Sequence, residues 1–185
     1  MDHVLKCNYY NQGCEGGYSY LLGKFYKEFE VIPGDCYARA YCGNVCKDLG
    51  YKKGKLNIKV SEYYYVGDYY GYSNENNLYE ELKENGPITI SLSPNYLFQS
   101  YRSGIFDGDN ETFRKLKLKE PEWQRVDHSV VLVGYGVEND IEYWLLQNSW
   151  GISFGEYGYM KVRKGKNLMN IESLGEAIKA TITED

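Results

Sequence analysis

The chain has 185 residues and a formal net charge of −5, and 43% of its residues are hydrophobic. This length favours one domain, with two small lobes as the alternative, and the apolar content suffices for a packed core. The acidic balance argues against a nucleic-acid partner. The longest aliphatic run, residues 130–133, is far too short to span a bilayer, so we expect no membrane span.

Cysteine usage indicates an oxidising compartment. All five cysteines fall in the first quarter of the chain, at Cys7, Cys14, Cys36, Cys42 and Cys46. Such clustering predicts a disulfide framework, and the odd count leaves one cysteine without a partner within the chain. Zinc is the competing interpretation, but only Cys42 and Cys46 have near-ligand spacing and only His3 is nearby, so we expect no metal.

The N-terminus shows no secretory signal pattern. Disulfides without a signal suggest that the sequence starts inside a longer precursor. The cysteine pattern predicts an oxidising compartment, and we expect this compartment to be lysosomal, vacuolar or extracellular.

The first elements are a glycine-rich segment and a helix. Residues 1–17 contain Gly13-Cys14 and then Gly16-Gly17, which by themselves are typical of a glycine-rich turn. Residues 18–29 place Leu21, Leu22, Phe25 and Phe29 on one stripe, which predicts a helix that ends before Pro33-Gly34.

The middle of the chain alternates loops with short elements. We predict a cysteine-bearing loop at 35–49, a basic connector at 51–59 and a strand-like, tyrosine-rich stretch at 60–72. A short helix at 76–85 and a strand over Ile88–Leu92 follow. Residues 106–125 form a charged insertion that carries the glycosylation sequon Asn110-Glu111-Thr112.

Residues 126–155 contain two β-rich runs that predict an antiparallel strand pair. The first run starts at His128 and continues through 129–133, with a turn expected at 134–136 and a polar loop at 137–141. The second run, 143–146, leads to Asn148. The pairing places His128 opposite Asn148, whose side-chain oxygen can hold one ring nitrogen so that the other points at a target.

These residues carry a family resemblance. The run HSVVLVGYG followed by YWLLQNSWG resembles the papain-like cysteine peptidases. The resemblance implies that His128 is the general base, that Asn148 orients it, and that Trp150 shields the contact from water, with Gln147 in support. The alternative interpretation is a strand-end histidine that happens to lie beside a turn asparagine.

The same resemblance implies a substrate cleft. Gly16 and Gly17 match the glycines along which a peptide lies, and Asp127 and Ser129 flank the histidine within the cleft. Leu174, in the segment NIESL, matches the residue at the floor of the pocket for the second substrate residue. The alternative interpretation is that Leu174 is an ordinary core residue.

The implied fold is α+β, with two lobes of the papain-like kind. Residues 1–54 would form a partial left helical lobe with the cysteine-rich segment. Residues 55–185 would form a right antiparallel β-barrel lobe that carries the histidine and the asparagine. The family's pattern also implies the disulfides Cys7–Cys42 and Cys36–Cys46.

The family's nucleophile signature, C-G-[SA]-C-[WY], occurs nowhere in these 185 residues. Since the nucleophile is expected about 130–150 residues before the histidine, we expect this chain to lack it and to be inactive alone. The N-terminal peptidase segment and an exclusion domain would then belong to a separate or missing chain.

The segments QGCEGGYSYL and YYYVGDYYG most resemble dipeptidyl peptidase I, the cathepsin C type, which removes N-terminal dipeptides from peptide or protein substrates. An endopeptidase of the same family and a non-catalytic peptide-binding relative are the alternatives. The resemblance admits chloride as a cofactor, without assigning residues to it.

Overall fold

A computed structural model describes residues 2–29, 31, 56–108 and 126–184. Its helices are α1 (Asp2–Cys7), α2 (Ser19–Glu28), α3 (Glu75–Asn85) and α4 (Tyr96–Gln99). Its strands are β1 (Leu56–Tyr65), β2 (Ile88–Leu92), β3 (Ile105–Phe106), β4 (His128–Glu138), β5 (Ile141–Gln147), β6 (Tyr159–Arg163) and β7 (Gly175–Glu184). Short 3-10 turns cover Gly13–Glu15 and Leu168–Asn170. The predicted α+β class is confirmed.

The chain forms two compact units. One comprises Met1–Tyr64 with Ile178–Asp185, and the other comprises Tyr65–Ala177. The lobe boundary predicted between residues 54 and 55 falls at a segment outside the described residues and stays a prediction.

In the first unit, α2 lies against β1. Phe25 is buried, and a Cβ built on Gly23 would lie 2.5 Å from the Cβ of Tyr63. Glycine is therefore required at this helix position, because the strand approaches too closely for a side chain. The helix predicted over residues 18–29 is confirmed to within one residue at each end, which is the usual uncertainty of helix termini.

In the second unit, the strands lie in the order β7-β2-β4-β5-β6-β3. The pairs are antiparallel except that β3 runs parallel to β6. The apolar positions of the central strands form the core with Leu78 and Leu82 of α3. The strand predicted over Ile88–Leu92 is observed with those bounds. The helix predicted over 76–85 is observed to start one residue earlier, at Glu75, because the side chain of Asn74 caps it there.

The turn predicted at residues 134–136 is wrong. β4 continues to Glu138, and the chain reverses at Asn139 and Asp140, whose φ values are 52° and 61°, as a two-residue hairpin turn requires. Glycine is required at position 136 for a reason other than a turn. A Cβ there would lie 2.6 Å from the hydroxyl oxygen of Tyr143, its partner on β5.

The strand predicted over residues 60–72 is too long. The strand predicted over 60–72 ends at Tyr65, because Gly67 and Asp68 take φ values of 90° and 73° and turn the chain. β6 starts at Tyr159, after Tyr157 and Gly158 in left-handed conformations. Left-handed residues cannot continue an extended strand.

The structure describes only some of the residues behind the predictions on cysteines, glycosylation, membrane spans and metal ligands. Cys7 is buried and disulfide-bonded, whereas Cys14 is an exposed free thiol. Cys36, Cys42 and Cys46 lie outside the described residues, so the two predicted pairings stay predictions, and so does the glycosylation of Asn110. In the described ranges, no helix is long and apolar enough to cross a membrane. No group of three or more His, Cys, Asp or Glu side chains there could hold a metal ion.

Candidate active site

Strand pairing brings His128 and Asn148 together. His128 begins β4 opposite Leu92 of β2, and Asn148 follows Gln147, the last residue of β5. Since β4 and β5 are antiparallel, the start of one strand lies beside the end of the other. Nε2 of His128 lies 2.9 Å from Oδ1 of Asn148.

Backbone contacts hold Asn148 in place. Its Oδ1 accepts a hydrogen bond from the backbone N–H of Ser149 at 2.8 Å, and its own N–H donates to the carbonyl of Gly158 at 2.9 Å. An N–H group can only donate, so the amide oxygen rather than the amide nitrogen faces both Ser149 and His128. Nε2 of neutral His128 therefore carries the proton, and Nδ1 keeps the lone pair.

The amide of Asn148 is oriented by its oxygen alone within the described residues. Asn148 is 9% exposed, and its Nδ2 is buried and makes no hydrogen bond with any residue that the structure describes. A buried amide nitrogen without a partner costs about 1–3 kcal/mol. Both hydrogen bonds to Oδ1 offset part of this cost, which is consistent with a side chain placed for its contact with His128.

Aromatic rings lie beside His128. The rings of His128 and Trp150 are 4.9 Å apart at an interplanar angle of 30°. Phe98 and Phe154 each contact Trp150 edge-on, with ring centroids 5.4 Å away. These apolar faces lower the local polarity, which strengthens a hydrogen bond that lies among them.

Residues 151–158, here called the 151–158 loop, connect Trp150 to β6. Oε1 of Glu156 accepts from the backbone N–H of Gly104 at 2.9 Å and lies 3.0 Å from the hydroxyl of Tyr101. Partial burial raises the pKa of Glu156, but these hydrogen bonds and the charge of Lys161 outweigh it, so the pKa is lowered overall. Burial raises the pKa of Tyr101 to about 12, with the Glu156 carboxylate contributing.

Comparison with known proteins decides the family. The family model described as papain family cysteine protease matches residues 1–178. The chain belongs to the papain family of cysteine proteases. It is 33% identical to a Schistosoma mansoni protein named Cathepsin C over 185 aligned residues, which cover 93% of this chain and 38% of that protein. It is 34% identical to the viral cathepsin of Cydia pomonella granulosis virus, covering 89% and 44%.

Solved structures agree with a papain-like α+β fold. Bromelain from Ananas comosus, solved in complex with the E64 inhibitor, superposes with a TM-score of 0.74 at 26% identity, over 96% of this chain and 75% of that one. Procathepsin L 3 of Tenebrio molitor gives a TM-score of 0.72 at 25% identity, covering 95% and 53%. The chain spans less than half the length of the two curated relatives named above.

The second unit brings an imidazole and an amide oxygen together but contains no thiol. Residues 65–177 contain no cysteine. A lone pair on Nδ1 of His128 can accept a proton from a thiol, and the resulting imidazolium is stabilised by its remaining hydrogen bond to Asn148. The arrangement can therefore perform general acid–base chemistry on a nucleophile presented to Nδ1.

The other predicted site residues of the second unit lie at different distances from the pair in the sheet. Asp127 and Ser129 are exposed neighbours of His128, and the hydroxyls of Ser129 and Ser91 lie 3.4 Å apart. Gln147 is exposed at the end of β5. Leu174 is 1% exposed, and its carbonyl accepts from the N–H of Ser91 at 3.0 Å. Its side chain therefore lies in the core of this unit.

Gly16 and Gly17 belong to the first unit. Their φ values are 114° and 157°, in the region that favours glycine. The side chain of Asn11 lies beside Gly17 and forms hydrogen bonds with the backbone N–H and carbonyl of Tyr18, at 2.9 and 3.2 Å. A Cβ on Gly17 would lie 2.4 Å from Cγ of Asn11, so a side chain there would displace that asparagine.

Sequence reasoning missed the supports of the site. Phe98, Phe154 and the pair Tyr101–Glu156 were not predicted to lie near His128. Only the recurrence of aromatic residues at 98, 101, 150 and 154 could have indicated an aromatic cluster.

Proposed function

We propose that this chain supplies the general base and orienting amide of a papain-family dipeptidyl peptidase of the cathepsin C type, which removes dipeptides from free N-termini. The observation that carries the proposal is the 2.9 Å contact between Nε2 of His128 and Oδ1 of Asn148. Similarity to the protein named Cathepsin C, and to Dipeptidyl aminopeptidase 1 of Plasmodium falciparum at 26% identity, supports the dipeptidyl specificity.

In the proposed reaction, Nδ1 of His128 accepts the thiol proton, and the thiolate attacks the scissile carbonyl carbon. The carbonyl π electrons move to oxygen, giving a tetrahedral intermediate. When this intermediate collapses, the carbon–nitrogen bond breaks and the imidazolium returns the proton to the leaving amine. Water then attacks the thioester while His128 accepts its proton, the carbon–sulfur bond breaks, and the imidazolium returns the proton to the thiolate as the carboxylic acid product leaves. Asn148 holds the imidazole throughout, and the Trp150 ring limits the access of water to that hydrogen bond.

The thiol itself is proposed to come from outside these 185 residues, since the nucleophile signature does not occur in them. An N-terminal peptidase segment and an exclusion domain that binds the substrate's free amine would complete the enzyme. A lysosomal, vacuolar or secreted location is proposed with them, because disulfides such as that of Cys7 persist in oxidising compartments.

For the substrate, we assign the peptide backbone to Gly16 and Gly17, where a side chain would obstruct an extended chain. The residues flanking His128, namely Asp127 and Ser129, are exposed and are assigned to the substrate cleft. Leu174, expected from the resemblance at the floor of the pocket for the second substrate residue, is 1% exposed and is therefore assigned to the core and not to the substrate.

The test uses the full-length protein and two fluorogenic peptides that differ only at the N-terminus, one with a free amine and one acetylated. The proposal expects cleavage of the free-amine peptide two residues from its N-terminus and no cleavage of the acetylated one. Cleavage of the acetylated peptide at comparable rates would contradict the dipeptidyl specificity and support an endopeptidase. Similarity to a viral cathepsin at 34% identity favours that second candidate.

A third result would overturn both candidates. If the full-length protein bound both peptides and cleaved neither, it would be a non-catalytic peptide-binding relative. The matched variant His128→Ala should bind peptide as well as the unaltered protein in that case, because the imidazole would have no catalytic role.

A further inference from the structure

A buried tyrosine connects the 151–158 loop to the turn that precedes β3. Tyr101 is 6% exposed, and its hydroxyl lies 2.6 Å from the carbonyl oxygen of Gly104 and 3.0 Å from Oε1 of Glu156. Its single proton is shared between these two acceptors. Gly104 also donates its N–H to Oε1 at 2.9 Å. Glu156 therefore attaches the loop to the side chain of Tyr101 and to the backbone of the turn at Gly104.

The ring of Tyr101 packs directly against the loop. A Cβ on Gly155 would lie 2.8 Å from Cδ1 of Tyr101 and 2.4 Å from the carbonyl oxygen of Tyr159. Gly155 also has a φ of 49°, which disfavours a larger residue. The rings of Tyr101 and Phe154 have centroids 6.1 Å apart. The loop is therefore in close contact with Tyr101 on its ring face as well as at its hydroxyl.

The loop reaches the His128–Asn148 pair by two routes. The carbonyl of Gly158 accepts the backbone N–H of Asn148 at 2.9 Å, while the N–H of Gly158 donates to Phe154 at 2.8 Å. The second route is aromatic, from Phe154 to Trp150 at 5.4 Å and from Trp150 to His128 at 4.9 Å. A shift of the loop would move the backbone of Asn148 and the ring beside His128 together.

We propose that Tyr101 and Glu156 are positioning residues for the His128–Asn148 hydrogen bond, acting through the 151–158 loop. Neither residue touches the reacting atoms. The kinetic part of this inference rests on the proposed function, whereas its structural part concerns only the hydrogen bond and holds for the chain by itself. A role limited to fold stability would instead leave that hydrogen bond unchanged in every variant that folds.

The first experiment measures the exchange of the His128 Nε2 proton with water in the 185-residue chain, by NMR on histidines labelled with ¹⁵N. Removing the carboxylate in Glu156→Ala should accelerate this exchange about tenfold, because local opening of the loop frees Asn148. Glu156→Gln keeps an oxygen that accepts from Gly104 and Tyr101, so its exchange should stay within about twofold of the unaltered chain.

The matched control is Glu138→Ala. Glu138 is the other carboxylate that pairs with Lys161, at 2.8 Å, and its side chain is 44% exposed; among the described residues it forms no hydrogen bond or ion pair with the 151–158 loop. Its removal should leave the exchange unchanged. If Glu156→Ala does not fold, Tyr101→Phe decides, since it keeps the ring and removes only the hydroxyl, and faster exchange is again expected.

The inference is overturned if folded Glu156→Ala, or Tyr101→Phe in its place, exchanges at the rate of the unaltered chain. It is equally overturned if Glu138→Ala accelerates exchange as much. In the full-length protein, Glu156→Ala should lower kcat about tenfold with little change in KM, as expected when a catalytic group is misplaced. An unaltered protein without peptidase activity, combined with the expected exchange rates, would reject the proposed function and leave this inference standing.

Discussion

Nε2 of His128 lies 2.9 Å from Oδ1 of Asn148, where the start of β4 meets the end of β5. The same oxygen accepts a hydrogen bond from the N–H of Ser149 at 2.8 Å, so it can accept a hydrogen bond from the imidazole but cannot donate one. We therefore expect neutral His128 to be the Nε2–H tautomer. Long-range ¹H–¹⁵N NMR of the labelled chain, whose only other histidine is His3, reports this directly.

The matched variant for the tautomer is Asn148→Ala. It removes the acceptor, so the Nε2 proton should exchange with water faster than in the unaltered chain. Detection of the Nδ1–H tautomer as the dominant neutral form of His128 would show that the geometry described above does not hold in solution.

In the full-length protein, separate substitutions of His128 and Asn148 should distinguish the general base from the residue that orients it. His128→Ala should lower kcat/KM by about 10²–10⁴, the usual contribution of a general base. Asn148→Ala should lower it less, because the imidazole remains and only its orientation is lost. His3→Ala is the control and should turn over substrate normally. Normal turnover by His128→Ala would refute the assigned role.

Residues close in sequence or on paired strands were predicted well. Alternating apolar residues predict β2 and the pairing of β4 with β5, and that pairing alone brings His128 to Asn148. The helix α2 follows from its apolar stripe. In each case one local periodicity decides the structure, because burial of one face outweighs other preferences.

The errors have physical causes that lie in distant contacts. The sequence predicts a turn at Gly136. In the structure, this position needs a glycine because the side chain of Tyr143 packs over it. The sequence does not reveal such a cross-strand approach. The contact between Tyr101 and Glu156 joins residues 55 positions apart, and no periodic pattern links them. Single residues with tertiary reasons are therefore the ones that sequence reasoning misses.

The decrease of the free energy of unfolding at acidic pH should depend in part on Glu156. Its folded-state pKa is lowered from 4.5, so its carboxylate contributes stability above that pH, which is lost as pH falls through the folded value. The free energy of unfolding of the unaltered chain should thus exceed that of Glu156→Gln at neutral pH and converge with it in acid. With a side chain 36% exposed, the difference should stay below about 1 kcal/mol.

Urea unfolding at several pH values measures this difference. Tyr101→Phe removes one of the donors that lower the pKa of Glu156, so in that background the difference between Glu and Gln at position 156 should shrink. A difference that stays constant between neutral and acidic pH would contradict the assignment.

Leu174 should be essential to the core of the second unit. It is 1% exposed, so Leu174→Ala should destabilise the chain by about 2–5 kcal/mol through lost burial and a cavity. Leu174→Met keeps the volume and should cost less than about 1.5 kcal/mol. Ile182→Ala, at a position 64% exposed, is the control and should change stability by less than about 0.5 kcal/mol. Equal urea midpoints for Leu174→Ala and Ile182→Ala would show that Leu174 is not a core residue in solution.

The cysteines provide the last prediction. Cys7 is disulfide-bonded and Cys14 is a free exposed thiol, and the family pattern implies Cys7–Cys42 and Cys36–Cys46. Thiol titration of the denatured, non-reduced chain should therefore find one free thiol, and Cys14→Ser should remove it without changing the disulfides. Peptide mapping should recover the two bridged peptides, because each pairing leaves Cys14 out. Recovery of a Cys7–Cys14 peptide from the unaltered chain would refute the pairing, since Cys42 would then have no partner at Cys7.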